Sequence, residues 1–133
     1  MPLDVEVVTP TRMLLREQVD ELNLPGEEGY LGILPGHTAF LTTLGQGELM
    51  YRKGEQRRYM AIFGGFMEVN NDKVTIMAEE AEPAAAIDRA RAESARDRAE
   101  ERLRRIQDDS IDRERARTAL ERATIRLQVA AKG

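Results

Sequence analysis

The chain changes its composition abruptly near Pro83, and this change constrains the fold more than any other feature. Nine of the ten glycines lie between Gly26 and Gly65, and all prolines and aromatic residues lie at or before Pro83. The 50 residues that follow contain 12 alanines and 12 arginines. Because glycine and proline disfavour helices whereas alanine and arginine favour them, the two segments have opposite preferences. We therefore predict two units, residues 1–83 and 84–133.

The first unit alternates short apolar segments with turn residues. Leu3, Val5 and Val7 alternate with acidic residues, and residues 74–78 alternate again. Further apolar segments span residues 22–24, 30–34, 40–42, 48–51 and 59–63, and turn signals lie at 25–26, 35–36, 45–47, 53–55 and 70–72. Strands at this spacing with glycine-rich turns indicate an antiparallel β-sandwich, or flattened barrel.

The second unit carries two stripes of small apolar residues at helical spacing. The stripes are Ala92, Ala95, Ala99, Leu103 and Ile106, then Ala116, Leu120, Ala123, Leu127 and Ala130. The polar break between them, with Asp109 or Ser110 as the expected cap, predicts an antiparallel two-helix hairpin. The fold class is thus all-β with a C-terminal α appendage. A stripe so rich in alanine joins the helices weakly, and it fits docking on the sandwich equally well.

Composition argues against several classes of function. The chain has no cysteine and a single histidine, so we expect no disulfide scaffold and no metal site. The net charge of −4 gives no strong attraction to nucleic acid. No apolar run is long enough to span a membrane, and the acidic N-terminus is not a signal peptide, so we expect an intracellular, soluble chain. A catalytic pair of His37 with Ser94 or Ser110 would have to bridge the two units, so we do not expect an enzyme.

Four segments carry a family resemblance. Residues 31–37 (LGILPGH), 64–69 (GGFMEV) and 74–79 (VTIMAE) resemble successive signatures of the epsilon subunits of bacterial F-type ATP synthases. Residues 87–92 (IDRARA) resemble that family's nucleotide motif. The resemblance covers essentially the whole chain. One departure is Thr38-Ala39-Phe40, where relatives usually carry Ala-Pro and then an aliphatic residue.

The resemblance implies a non-catalytic rotor subunit of the central stalk. Such a subunit binds the gamma subunit, sits on the c-ring and transmits rotation, so Tyr30, Pro35 and His37 are expected to contact gamma or the c-ring. Its C-terminal helices can swing into the alpha/beta catalytic hexamer and block ATP hydrolysis, and bound ATP favours the folded hairpin. The expected location is peripheral, on the cytoplasmic face of the bacterial membrane. In isolation the chain should be a monomer that needs no cofactor, with ATP as a regulatory ligand.

Arginines on both predicted helices fit a phosphate site. Arg91 and Arg98 share one helical face, and antiparallel pairing would place Arg122 and Arg126 opposite them. Arginine suits this role because its planar donor fork matches phosphate oxygens. Left unpaired, four such groups would repel one another, and a triphosphate would neutralise them and close the hairpin. In a segment this rich in arginine, a solvated helix face is the alternative.

The resemblance also assigns the base-binding residues. Asp88 would accept a hydrogen bond from the adenine amino group, Ile87 would contact the base, and Glu82 would lie close to it. The full predicted ATP site is Glu82, Ile87, Asp88, Arg91, Ala92, Arg98, Arg122 and Arg126. No P-loop is present, so the nucleotide would be a signal and not a substrate.

A different class of protein competes with this interpretation. A free-standing β-plus-coiled-coil adaptor or chaperone would carry the same two units and use its helices to hold a partner. It would assemble with itself in isolation, whereas the rotor subunit would stay monomeric.

Overall fold

A computed structural model describes residues 2–105 and 107–133, so Ile106, the last member of the first predicted stripe, lies outside the described residues. Seven strands precede two helices, as the fold class predicted. The strands are β1 (Leu3–Val8), β2 (Met13–Val19), β3 (Glu21–Gly26), β4 (Gly29–Ile33), β5 (Phe40–Lys53), β6 (Gln56–Asn70) and β7 (Lys73–Pro83). A 3-10 turn (Ala84–Ala86) leads into the helices α1 (Arg89–Arg104) and α2 (Arg113–Ala130).

The seven strands form one continuous ladder in the order β2-β1-β7-β6-β5-β3-β4. All neighbours are antiparallel except β1 and β7, which run parallel with Val5 opposite Val74. The predicted antiparallel β-sandwich is therefore confirmed, with one parallel pair that the sequence did not indicate. Strands β2 to β6 lie between β1 and β7 in the sequence, and a connection of that length allows two neighbouring strands to run parallel.

Strands β5 and β3 cross residues that the sequence suggested were turns, and β6 crosses a pair of glycines. Strand β5 joins the apolar segments 40–42 and 48–51 straight through residues 45–47. Strand β6 likewise continues through Gly64 and Gly65, and β3 includes Pro25 and Gly26. Strand β2 was not predicted. The glycines of β5 and β6 mark bends within paired strands, because the ladder keeps its register on both sides of them. In β3 the register with β5 shifts between Asn23 and Gly26.

The bend in β6 reverses which residues face the core. Met60 and Ile62 are buried in the core before the bend, whereas Met67 is buried there after it, so the alternation changes phase. Gly64 and Gly65 adopt φ angles of +74° and +120°, which other residues rarely take. The sheet therefore folds over and encloses its core on one face.

That change of phase also creates a second apolar surface. The main core is built from all seven strands; its bulkiest fully buried members include Leu3, Leu22, Leu24, Ile33, Leu49, Ile62, Met67 and Ile76. A separate group, the docking cluster, joins the helices to the outer side of the sheet: Ala61, Phe63, Ile87, Ile125, Val129 and Ala130. Helix α2 thus packs directly on β6, while the main core contains no helical residue.

The two helices are each capped by an aspartate. The Asp88 carboxylate accepts a hydrogen bond from the Arg91 backbone N–H at 3.1 Å, and Asp112 accepts from Arg115 N–H at 3.0 Å. The prediction that Asp109 or Ser110 caps α2 is wrong, because α2 begins after Asp112. Helix α1 ends at Arg104 and a short turn precedes α2.

Asp108 stabilises the turn between the helices. Its carboxylate accepts hydrogen bonds from the Ser110 hydroxyl and the Ser110 backbone N–H. These bonds hold the pKa of Asp108 below its ordinary value. Ser110 therefore supports the turn and does not begin the helix.

The two helices meet along alanines, as predicted. Ala92 and Ala99 on α1 and Ala116 and Ala123 on α2 are buried, whereas the leucines of both stripes are only partly covered. Of the docking residues of α2, Ile125 and Val129 lie outside the stripe and Ala130 belongs to both, so the stripe mainly joins the helices and a largely separate set holds them to the sheet. Surface ion pairs also form along α1, with Arg104 and Glu100 3.4 Å apart.

The last residues of the chain reach back to the sheet. Lys132 Nζ lies 2.8 Å from Glu48 Oε1 and 5.1 Å from the centre of the Tyr59 ring. The hydrogen bond to Glu48 raises the pKa of Lys132. None of the described helices has the length and apolar character needed to cross a membrane.

Candidate nucleotide-binding site

A cleft of about 430 Å³ opens between α1, α2 and β7. Its lining consists of Glu80, Glu82, Ala86, Asp88, Arg91, Ala92, Ala95, Arg98, Ala123 and Arg126. Six of the eight residues predicted for the ATP site are among them: Glu82, Asp88, Arg91, Ala92, Arg98 and Arg126. The hairpin therefore brings together residues that are up to 44 positions apart in sequence.

The other two predicted residues do not line the cleft in this conformation. Ile87 is 8% exposed and belongs to the docking cluster, where it holds the start of α1 against Phe63 and its neighbours. Arg122 lies beside the cleft, with its guanidinium carbon 5.4 Å from the centre of the Phe63 ring. Both side chains thus pack near Phe63, outside the lining of the cleft.

The arginines of α2 are paired with carboxylates of β7. Arg126 contacts Glu82 Oε1 through Nε at 2.6 Å and Glu80 Oε1 through Nη2 at 2.8 Å. Arg122 Nη1 lies 3.3 Å from Glu80 Oε2. The expectation that all four arginines would be unpaired and repel one another is therefore wrong for α2, because two strand carboxylates neutralise this pair.

A buried ring supports the same two guanidinium groups. The guanidinium carbon of Arg126 lies 4.7 Å from the centre of the Phe63 ring, and that of Arg122 lies almost as close. Cations over an aromatic face are attracted by its negative potential. Phe63 thus fixes both groups at the edge of the cleft.

The arginines of α1 are placed differently. Within the described residues, no ion pair involves Arg91 or Arg98, and both are exposed. Helix α1 begins directly after its cap, Asp88. Arg89 Nη2 donates to the Ala130 carbonyl at 2.6 Å, so the first residue of α1 is bonded to the last residue of α2. Two accessible guanidinium groups thus face a wall that also offers carboxylate acceptors. This combination can bind a ligand with a phosphate end and an amino-bearing base.

No cluster of three or more potential metal ligands occurs among residues 2–105 and 107–133. The cleft's own donors and acceptors are arginine and carboxylate groups. Its chemistry is therefore that of ionic and hydrogen-bonded recognition.

The residues predicted to contact partner subunits lie on loops and edges of the sandwich. Tyr30 is 63% exposed, and its hydroxyl accepts a hydrogen bond from the Glu48 backbone N–H at 3.0 Å. Pro35 lies in a tight turn closed by a bond from His37 N–H to the Leu34 carbonyl at 3.2 Å, and Gly36 N–H in the same turn donates to Asp72 Oδ1 at 2.6 Å. The partly covered His37 places Nδ1 2.8 Å from the Thr38 carbonyl oxygen.

Sequence reasoning missed an exposed apolar row on the same unit. Phe66 on β6 lies opposite Met77 on β7, and both point away from the core, with Phe66 52% exposed. Leu41 on β5 is 66% exposed. The alternation of these strands could have indicated the row, because Met67 and Ile76 beside it are buried.

Comparison with known proteins matches both units of the chain. Residues 2–84 match the family model of the ATP synthase delta/epsilon chain β-sandwich domain. Residues 86–131 match the model of the ATP synthase delta/epsilon chain long α-helix domain.

Curated relatives match over nearly the full length. The ATP synthase epsilon chain of Geotalea uraniireducens is 48% identical over 130 residues, covering 98% of this chain and 94% of the relative. The ATP synthase epsilon chain 2 of Syntrophotalea carbinolica is 46% identical, covering 98% and 95%.

Solved structures agree with these relatives. A chain of the Euglena gracilis mitochondrial ATP synthase assembly of OSCP, F1 and c-ring matches with a TM-score of 0.80 and 26% identity, covering 99% of this chain and 82% of that one. A chain of the Tetrahymena thermophila central stalk and c-ring shares the fold, with a TM-score of 0.56 and 15% identity, covering 99% and 96%.

A sandwich followed by a helical hairpin, matched in both parts and in this order, defines an accessory stalk subunit of an ATP synthase. The chain belongs to the ATP synthase delta/epsilon chain family. The sequence resemblance to bacterial epsilon subunits is thereby confirmed.

Proposed function

We propose that this chain is a non-catalytic rotor subunit that couples the c-ring to the catalytic hexamer of an F-type ATP synthase. The full-length match to epsilon chains carries this proposal. The sandwich would bind the gamma subunit and the c-ring through Tyr30, Pro35, His37 and the exposed row at Phe66 and Met77. As part of the synthase it would lie peripherally on the cytoplasmic face of the bacterial membrane. On its own it would be a monomer.

We also propose that the cleft binds ATP as a regulatory ligand. Arg91, Arg98 and Arg126, together with Arg122 beside the cleft, would bind phosphate oxygens. Asp88 would accept a hydrogen bond from the adenine amino group, with Glu82 close to the base. The cleft needs both helices and β7, so it exists only while the helices are closed on the sheet. A ligand that binds only this closed conformation stabilises it in proportion to RT ln(1 + [L]/Kd). ATP would therefore stabilise the conformation in which the hairpin is closed on the sheet.

The hairpin would act as the inhibitory element when it opens. Each helix has its own aspartate cap, and α1 also carries i,i+4 ion pairs, so both helices keep stabilising contacts when they leave the sheet. The contact between the helices consists mostly of alanine methyl groups, each of which contributes little on burial. An extended conformation could then reach the alpha and beta subunits.

Replacement of Arg98 by alanine is expected to weaken ATP binding by roughly ten- to a hundredfold. A charge-assisted hydrogen bond to phosphate is worth about 1.5–3 kcal/mol. Isothermal titration calorimetry with the purified chain measures the change. Arg102→Ala is the matched control, because Arg102 is exposed on the same helix and does not line the cleft. The absence of both heat and helix chemical-shift changes at millimolar ATP would contradict the proposed site.

Deletion of the residues after Asp88 is expected to leave a folded sandwich and to raise the ATPase rate of the reconstituted synthase. The main core contains no residue beyond Ala81, so its packing survives the deletion. The rate of ATP hydrolysis by enzyme reconstituted with either form gives the comparison. An unchanged rate would remove the inhibitory role and leave the coupling role standing.

A further inference from the structure

The Glu80 carboxylate of β7 pairs with two arginines of α2, Arg122 and Arg126. Its two carboxylate oxygens divide between two side chains of α2: Oε1 pairs with Arg126 at 2.8 Å and Oε2 with Arg122 at 3.3 Å. The three groups are linked across a sequence separation of more than 40 residues. A single carboxylate thus bridges two of the five arginines of the second helix.

The bend in the sheet explains why Glu80 faces the helices. Along β7, Ile76 and Ala78 enter the main core, but the next residue to do so is Ala81. This change of phase turns Glu80 outward together with Glu82, onto the side where α2 docks. The neighbouring Glu79 lies against Gly64 instead.

The pairing leaves the arginines incompletely satisfied. Arg122 Nε is buried and has no hydrogen-bond partner among the described residues. The carboxylates of Glu80 and Glu82 offer four oxygens, whereas the two guanidinium groups offer ten N–H donors between them, five each. A polyphosphate has more oxygens and more charge, so it can satisfy these donors better than Glu80 does.

We propose that Glu80 is an intramolecular ligand of Arg122 and Arg126, which holds the helices closed on the sheet and competes with an external polyphosphate for the same guanidinium groups. The competition rests on the proposed ATP site. The closed conformation then persists without nucleotide, and an incoming phosphate chain displaces Glu80 from the arginines. The affinity for the anion is lower than the arginines alone would give, because displacement of Glu80 accompanies binding.

The test compares Glu80→Gln with the matched control Glu79→Gln. Both variants remove one negative charge from adjacent positions of β7, so long-range electrostatic effects are the same. Neither residue belongs to the main core. Because the chain has no cysteine, spin labels can be attached at Cys residues introduced at the exposed positions Glu55 and Arg117. The distance between the labels gives the fraction of molecules with closed helices.

Without ligand, Glu80→Gln is expected to increase the open population by about three- to tenfold, whereas Glu79→Gln should leave it unchanged. Two partly exposed ion pairs of this kind account for a change of that size. ATP and inorganic tripolyphosphate are then titrated separately, and each apparent affinity is corrected for the closed fraction of the same sample. Glu80→Gln should bind both about three- to tenfold more tightly than the control.

The proposal is overturned if Glu80→Gln matches Glu79→Gln in open population, or if the variants bind an anion and Glu80→Gln binds it no more tightly than Glu79→Gln does. Binding of tripolyphosphate by Glu80→Gln in the absence of ATP binding would support the competition and contradict the ATP site. If no variant binds either anion, the proposed nucleotide site fails, and the open population alone decides the role of Glu80.

Discussion

Replacement of Gly65 by alanine is expected to remove most of the stability of the sandwich. A Cβ atom at this position would lie 2.1 Å from the Met77 carbonyl oxygen and 2.8 Å from the Ala78 Cα, and both are backbone atoms of the paired strand. The φ angle of +120° is itself unfavourable for alanine. We expect the free energy of unfolding to fall by at least about 3 kcal/mol. Urea denaturation followed by circular dichroism measures this.

The control for this substitution is Gly54→Ala in the turn between β5 and β6. Gly54 also has a positive φ, +63°, but a Cβ there meets nothing within 4 Å. Its cost should be limited to the backbone strain of about 1–2 kcal/mol. Equal loss of stability in the two variants would mean that the approach of β7 to Gly65 is not a constraint.

Replacement of Val129 by aspartate is expected to release α2 from the sheet and leave the sandwich folded. Val129 is fully buried among the apolar side chains of the docking cluster, where a carboxylate would lose its hydration. A penalty of about 3 kcal/mol would lower the protection of α2 amides against hydrogen exchange by roughly a hundredfold. Mass spectrometry of exchange in the full chain reports each segment separately.

The neighbouring exposed Gln128 provides the control. Gln128→Asp adds the same charge to the same turn of α2 but leaves it in solvent. Protection in α2 should then stay near that of the parent chain, and protection in β1 and β7 should be the same in both variants. Loss of protection throughout the sandwich after Val129→Asp would show that the two apolar clusters are not independent.

The order of the two units could be predicted from composition because the physical preferences involved are local. Glycine and aromatic residues up to Phe66, and alanine and arginine beyond Pro83, act over a few positions each. Helical spacing likewise placed Arg91 and Arg98 on one face, and the structure brings both to the cleft. Features that depend on residue spacing within one helix or strand could thus be predicted from the sequence.

The remaining features depend on contacts between distant segments. The pairing of Arg126 with Glu80 and Glu82 crosses more than 40 residues and requires the bend at Gly64 and Gly65 to turn both carboxylates outward. Those glycines resemble a turn when only neighbouring residues are considered. Only the pairing of β6 with β5 and β7 shows that these glycines form a bend within one continuous strand. The parallel pairing of β1 and β7 is hidden for the same reason.

Four consecutive side chains of β6, at residues 60–63, alternate between the two apolar clusters. Met60 and Ile62 belong to the main core, whereas Ala61 and Phe63 between them belong to the docking cluster. Substitution of Met60 or Ile62 would change the stability of the sandwich, whereas substitution of Ala61 or Phe63 would change how firmly the helices are held to the sheet. The strength of this docking can therefore be adjusted without weakening the main core.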